Sequence, residues 1–239
     1  NMAEKLGITV FGTSAKYITS LESNGIKPKM ISSFPKLRTI LSTGSPLGEE
    51  NYDFIYAQWK KDVQLSSISG GTDLISCFAL GNPILPVRRG ELQCRGLGMK
   101  VESFDEKGES VYDCKGELVC TQAFPSMPLY FWNDNNNEKY NDAYFKTFPG
   151  IWHHGDYINI NSQGGIKIFG RSDTTLNPGG VRIGTAEIYQ VIERFTEIKD
   201  SLVIGQPWEN DERIILFLIM GENAQLKDEL NQNIKKNIS

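Results

Sequence analysis

The sequence is short of histidine and of paired cysteine, and both shortages narrow the chemistry open to it. Of 239 residues only the neighbours His153 and His154 are histidine. A zinc centre on separated histidines, or distinct histidine base and ligand roles, is therefore hard to assemble. The four cysteines, Cys77, Cys94, Cys114 and Cys120, include no C-x-x-C pair, and no secretory h-region precedes the first charged residues; a reduced, cytoplasmic setting is expected. Apolar runs are short as well. Ile214 to Met220 is among the longest and falls well below the roughly 20 residues of a helical membrane span, so a soluble chain without a membrane partner is expected. Basic residues form nothing longer than pairs such as Arg88-Arg89 and Lys235-Lys236. With 25 Lys and Arg against 29 Asp and Glu, net charge is -4 and exerts no general pull on nucleic acid.

What is present suits globular cores: 39% of the residues are hydrophobic, enough for one large domain or a larger and a smaller one. Tyr52, Ile55, Tyr56 and Trp59 follow i, i+3, i+4, i+7 spacing and predict an amphipathic helix, with Ser45-Pro46 as its N-cap and first-turn proline. Aliphatic runs at Leu37 to Leu41 and Val63 to Ile68 flank it as strands, an α/β pattern. Between Leu85 and Thr121 the texture changes to short glycine-broken segments, read as an antiparallel, β-rich subdomain. Asp134 to Tyr144 is asparagine-rich and reads as an exposed loop, and Tyr157 to Ile160 with Gly165 to Phe169 as a hairpin.

A boundary is expected near Arg171 to Thr174. Beyond it Ile188, Val191, Ile192 and Phe195 mark a helix, Leu202 to Ile204 and Ile214 to Met220 strands, and Leu226, Leu230 and Ile234 a last helix. The expected class is α/β with α+β: domain 1–172, then a smaller α+β domain, 173–239, whose sheet usually wants another strand.

Four stretches can carry chemistry. Ser69-Gly70-Gly71-Thr72-Asp73 follows a predicted buried strand; its glycines admit a ligand to the backbone, the Thr72 hydroxyl can bond an oxygen, and Asp73 can hold Mg²⁺. It is equally a strand-ending turn. Thr43-Gly44-Ser45-Pro46 joins a strand to a helix, either as a ligand crevice or as a cap alone. Gly155-Asp156 offers acceptors to a ribose diol, or simply turns into a hairpin. Gly170 to Ile188 sets Arg171 and Arg182, Asp173 and Gly179-Gly180 ahead of a predicted helix, either as a phosphate-handling hinge or as an interdomain linker with structural salt bridges.

In this order the motifs resemble the adenylate-forming superfamily of acyl-CoA synthetases, luciferases and peptide-synthetase adenylation domains. Thr72-Asp73 is similar to its Thr-Glu pair, Gly155-Asp156 to its Thr-Gly-Asp, and Gly170-Arg171-Ser172-Asp173 with Arg182 and Thr185-Ala186-Glu187 to its hinge segment. F-G-T-S-A-K-Y-I, L-S-T-G-S-P-L and S-I-S-G-G-T-D-L-I-S-C-F are more similar to members that activate acetoacetate than to those that use acetate. The resemblance implies part of the large adenylate-forming domain followed by an incomplete small C-terminal domain. It implies an acid-thiol ligase that joins a short 3-oxo acid to ATP and passes the acyl group to coenzyme A.

By the same resemblance Gly44, Ser45 and Pro46 meet adenine, and Ser69, Gly70, Gly71 and Thr72 meet adenosine, α-phosphate and acyl group. Asp156 and Arg171 take the ribose, Asp73 holds Mg²⁺, Thr72 and Arg182 act on phosphate as catalytic residues, Gly179 and Gly180 line the coenzyme A path, and Asp173 is the pivot. Gly70 stands where acetyl-specific relatives carry tryptophan, implying room for a longer acid. Asp73 departs from glutamate and reaches one methylene less far. The family's phosphate loop, expected before Phe11, and its catalytic lysine, expected past Ser239, are not among these residues. The chain by itself is expected to bind nucleotide weakly without completing adenylation; a non-catalytic nucleotide- or acyl-adenylate-binding module is the alternative.

Overall fold

The structure, a computed structural model, describes residues 2–176, 183–208, 211–222 and 224–238. Contacts divide it into two compact units, Asn1–Ile168 and Phe169–Ser239, whereas the sequence reading set the boundary at 172/173. Among the described residues no helix is long and apolar enough to cross a membrane.

The first unit opens with α1 (Met2–Leu6), β1 (Val10–Ser14), α2 (Ala15–Ser23), β2 (Thr39–Thr43), α3 (Glu49–Phe54) and β3 (Gln64–Ser67). The strands form a parallel sheet in the order β1-β2-β3, with Ser14 opposite Thr43 and Ser42 opposite Ser67. Parallel neighbours require crossovers, which α2 and α3 provide. Ser14 ends β1 and caps α2, its Oγ accepting from Tyr17 N at 3.1 Å. Ile18, Ile40, Ile55, Trp59 and Leu65 are buried together as the core of this layer.

The helix after β2 starts later than its sequence suggests. Gly48, not Ser45, is its N-cap, and the buried Leu47 pins the intervening loop. Glu49 and Glu50 then occupy the first turn, where the helix dipole favours negative charge. The helix finishes as a π turn over Ile55–Trp59, with Lys60 N donating to Ile55 O at 3.0 Å. Tyr52, Ile55 and Trp59 are buried, so the apolar stripe read from spacing does face the sheet.

Next come β4 (Ser69–Gly71), β5 (Ser76–Leu80) and β6 (Cys94–Arg95), an antiparallel sheet. A further sheet, ordered β10-β9-β8-β7, contains β7 (Val101–Phe104), β8 (Gly116–Cys120), β9 (Trp152–Ile160) and β10 (Ile166–Arg171), with α4 (Glu138–Tyr144) between β8 and β9 in sequence. The antiparallel β-rich reading of this region therefore holds. Leu74, Phe78, Leu118, Trp152, Ile158 and Ile166 share one buried core.

Asp134 to Tyr144 is not simply an exposed loop. Asp134 accepts from Tyr140 N at 2.9 Å, and α4 buries Tyr140 and Tyr144. The asparagine-rich composition concealed this i, i+4 aromatic pair. Strand β9 also begins earlier than expected, at Trp152, and carries His153 to Asp156 within it.

The second unit contains β11 (Thr175–Leu176), β12 (Ile183–Gly184), α5 (Thr185–Ile192), β13 (Ile198–Trp208), β14 (Asp211–Met220) and α6 (Asp228–Ile238). Strands β13 and β14 pair antiparallel with Leu202 opposite Phe217. Val203 is buried with Ile188, Ile192 and Ile234, while Leu202 and Phe217 on the other face are exposed.

The β4–β5 hairpin holds two backbone constraints. A Cβ on Gly70 would stand 2.1 Å from Ser76 O, so glycine here is demanded by strand pairing whatever acid the neighbouring space admits. Gly70→Trp is accordingly no simple filling of a pocket, since its first side-chain atom already meets backbone. Ile75, at the tip, has φ 49° and is 88% exposed; a β-branched residue in this left-handed region is strained. Two stability changes of opposite sign are expected in urea unfolding. Gly70→Ala should lower the unfolding free energy by about 1–3 kcal/mol, and Ile75→Gly should raise it by about 1 kcal/mol. An unchanged midpoint for either variant contradicts the corresponding constraint.

Candidate active site

Two of the four stretches singled out in the sequence meet, beside the end of β1, because the first sheet is parallel. The carboxyl ends of β1, β2 and β3 lie on one edge, placing Ser14, then Thr43-Gly44-Ser45-Pro46, then Ser67 to Asp73 side by side along it. Ile68 N donates to Ser42 O at 2.8 Å and continues the ladder to the hairpin. Such an edge is where open α/β sheets bind ligands. Thr43, Gly44, Ser45, Thr72 and Asp73 are solvent-exposed, so their oxygens and amides are accessible. The late start of α3 changes what Ser45-Pro46 can offer: these residues form the approach loop, and the positive end of the helix lies beyond Gly48.

Strand β9 brings a fourth segment to the same hairpin. A Cβ on Gly71 would stand 2.2 Å from Asp73 Oδ1 and 3.1 Å from His154 Cε1, so an aspartate and an imidazole both close on the space that a side chain at Gly71 would take. His154 Nε2 is 3.9 Å from Asp156 Oδ2, with both side chains largely buried. The placement depends on a bulge: Glu117 pairs with Tyr157 while Val119 pairs with His153, so β9 carries extra residues opposite Leu118. Gly155, with φ 78°, supplies the left-handed backbone that such a bulge uses. Asp156 thus sits in a bulge inside a strand, rather than at a strand's start.

The histidines separate onto different surroundings, as adjacent strand residues do. His153 Nε2 lies 2.9 Å from Glu117 Oε2. His154 packs edge-on to Phe78 at 4.6 Å and parallel to Trp152 at 6.3 Å. Trp152 in turn stacks on Tyr144 at 3.7 Å and 14°, and the Tyr144 hydroxyl donates to Asp73 Oδ2 at 2.5 Å. Tyr144, Trp152 and His154 were not singled out as site residues from the sequence. The available signal was the aromatic spacing Tyr140, Tyr144 followed by Trp152 just ahead of Gly155-Asp156.

Among the described residues no group of three or more His, Cys, Asp or Glu converges as a metal cage. Asp73 alone suits Mg²⁺ differently, since that ion is often held by one or two carboxylates while substrate phosphates and water fill its remaining positions. Burial pushes the thiols of Cys77 and Cys120 above their ordinary range, which makes them poor nucleophiles.

In the second unit Arg171 and Asp173 face each other. Arg171 Nε donates to Asp173 Oδ1 at 2.9 Å and a second guanidinium nitrogen pairs with Oδ2. The two residues assigned separately to ribose and pivot are joined here in a forked ion pair. Gly179, Gly180 and Arg182 lie outside the described residues.

No protein-family model matches the chain. Its sequence is 52% identical over 229 residues to an acetoacetyl-coenzyme A synthetase of Rhizobium meliloti (strain 1021), covering 96% of this chain and 35% of that protein. It is 50% identical over 237 residues to the acetoacetyl-CoA synthetase of Xenopus tropicalis, covering 98% and 35%. The chain thus spans about a third of the length of the curated relatives it matches. Among solved structures, the acetoacetyl-CoA synthetase from Streptomyces lividans matches with a TM-score of 0.88 and 42% identity over 99% of this chain and 36% of that one. The anthranilate CoA ligase AuaEII, solved with anthranoyl-AMP, shares the fold, with a TM-score of 0.74 and 18% identity over 98% of this chain and 45% of that one. On sequence and fold together, the chain is similar along nearly its whole length to about a third of the acetoacetyl-CoA synthetases, and it shares their fold.

Proposed function

We propose that the protein carrying this chain is an acetoacetate-CoA ligase. A carboxylate oxygen of the acid attacks the α-phosphorus of ATP and pyrophosphate leaves. The thiol of coenzyme A, giving up its proton, then attacks the acyl carbonyl and AMP leaves. The observation that carries this reading is the meeting of Ser69 to Asp73 with His154 to Asp156 across Gly71, at the carboxyl edge of a parallel sheet. One edge thereby offers a hydroxyl and two carboxylates, which this reading assigns to phosphate, metal ion and ribose.

Within this reading Gly44, Ser45 and Pro46 border the adenine, and Ser69 to Thr72 the adenosine, α-phosphate and acyl group. Asp156 accepts from the ribose diol, which a carboxylate can do with both oxygens. Arg171 reaches the ribose after exchanging Asp173 for it, and Asp173 serves as the pivot between 1–172 and 173–239. Gly179 and Gly180 line the coenzyme A path and Arg182 contacts phosphate. Asp73 would hold Mg²⁺, which when bound would screen the phosphates and stabilise charge on the leaving pyrophosphate. The charge of Asp73 gives this ion a physical necessity: a carboxylate beside a polyphosphate repels it unless a divalent cation lies between them.

The reading is tested in the full-length gene product by acetoacetate-dependent exchange of pyrophosphate into ATP and by coenzyme A-dependent release of AMP. Both activities are expected. Asp156→Asn should lower kcat/KM for ATP by about 10- to 100-fold, the cost of weakening hydrogen bonds to a charged acceptor. Nucleotide binding without exchange would instead support a non-catalytic acyl-adenylate-binding module.

A further inference from the structure

Asp73 lies at the exposed start of the hairpin tip Thr72 to Ile75, a setting in which an aspartate ordinarily samples several rotamers. Here its carboxylate is held from a distant part of the chain, by the Tyr144 hydroxyl on Oδ2 at 2.5 Å. The donor is itself rigid. Tyr144 ends α4 and is buried, its ring lies flat on Trp152 at 3.7 Å, and Phe131 and Tyr140 pack against it edge-on, each at 5.6 Å. Trp152 is only 2% exposed, so the stack is fixed at its base.

The bond also selects which oxygen is presented. Tyr144 engages Oδ2, while Oδ1 lies toward Gly71, where an added methyl would stand 2.2 Å from it and 3.1 Å from His154 Cε1. An ionised carboxylate has about four lone-pair sites, so one phenol leaves ample capacity on Oδ1. An aspartate has one rotatable bond fewer than the glutamate usual in the family, and a single well-anchored hydrogen bond restrains it more completely.

We propose that Tyr144 is a positioning residue for Asp73, holding its carboxylate so that Oδ1 faces a divalent cation carried by the nucleotide phosphates. The proposal rests on the reading of Asp73 as the magnesium-binding residue. It differs from a purely structural role in a definite way: the hydroxyl acts on metal affinity through Asp73, whereas the ring acts on stability.

Tyr144→Phe separates the two, because it keeps the stack and removes the hydroxyl. In the full-length gene product, uptake of Mn²⁺ in the presence of ATP, read by electron paramagnetic resonance, should weaken by about tenfold or more, as for other partners of metal ligands. The Mg²⁺ concentration for half-maximal pyrophosphate exchange should rise by the same factor, and the rate should recover at saturating Mg²⁺. The effect of Tyr144→Phe should vanish in an Asp73→Asn background, the signature of two residues acting as one unit. If Asp73→Asn weakens Mn²⁺ uptake while Tyr144→Phe leaves it unchanged, the positioning role is overturned and the metal assignment stands. A Tyr144→Phe effect that persists in full beside Asp73→Asn overturns the positioning role as well. Wild-type Mn²⁺ uptake by Asp73→Asn removes the metal assignment and the inference together, as does wild-type protein that takes up no Mn²⁺ with ATP.

Discussion

The burial of Trp152 is the interaction on which the rest of the first unit's site depends. Five aromatic rings meet its indole: Phe124 at 5.3 Å, Tyr140 at 6.4 Å, Tyr144 at 3.7 Å, Phe145 at 6.0 Å and His154 at 6.3 Å. Among the described residues its indole nitrogen has no hydrogen-bond partner, which costs about 1–3 kcal/mol. Burying a tryptophan of about 150–250 Å² contributes about 4–6 kcal/mol at 25 cal/mol per Å², so the packing term wins. Through this one side chain α4 is fixed to β9, and through α4 the Tyr144 phenol is fixed to Asp73.

A different constraint organises the other side of the edge. Because β1, β2 and β3 run parallel, their carboxyl ends must share one edge, and residues far apart in sequence become neighbours without contacting each other's side chains. This much was legible in the sequence: the runs ending near Leu41 and Ile68, with an amphipathic segment between them, imply a crossover and hence a common edge. The antiparallel region between Leu85 and Thr121 was legible for a similar reason, since short alternating segments broken by glycine leave few other arrangements.

What stayed hidden depended on contacts made at long range. The helix following Pro46 waits until Gly48, because the buried Leu47 holds the loop extended, and no local signal marks that burial. The helix at Glu138–Tyr144 is hidden by its asparagine-rich approach; its stability comes from Tyr140 and Tyr144 entering the core, with Asp134 satisfying the Tyr140 amide. The bulge at Gly155 follows from the pairing of β9 with β8, which a single strand's sequence cannot register. In each case the conformation was set by packing or pairing partners that the local pattern does not name.

The two units hold their polar groups in contrasting ways, and the contrast bears on what each can do. Asp73 is anchored by a buried ring system and has little freedom to change partner. Arg171 and Asp173 form a pair whose side chains are 45% and 52% exposed, and the median exposed pair contributes only about 0–1 kcal/mol. Another oxygen acceptor can therefore compete with Asp173 for Arg171 at small cost. Weak, water-accessible pairs of this kind exchange partners readily, whereas a carboxylate held by a buried donor keeps its orientation. The sequence separation reflects the same division: Tyr144 reaches Asp73 across 71 residues and a packed core, while Arg171 and Asp173 meet across two.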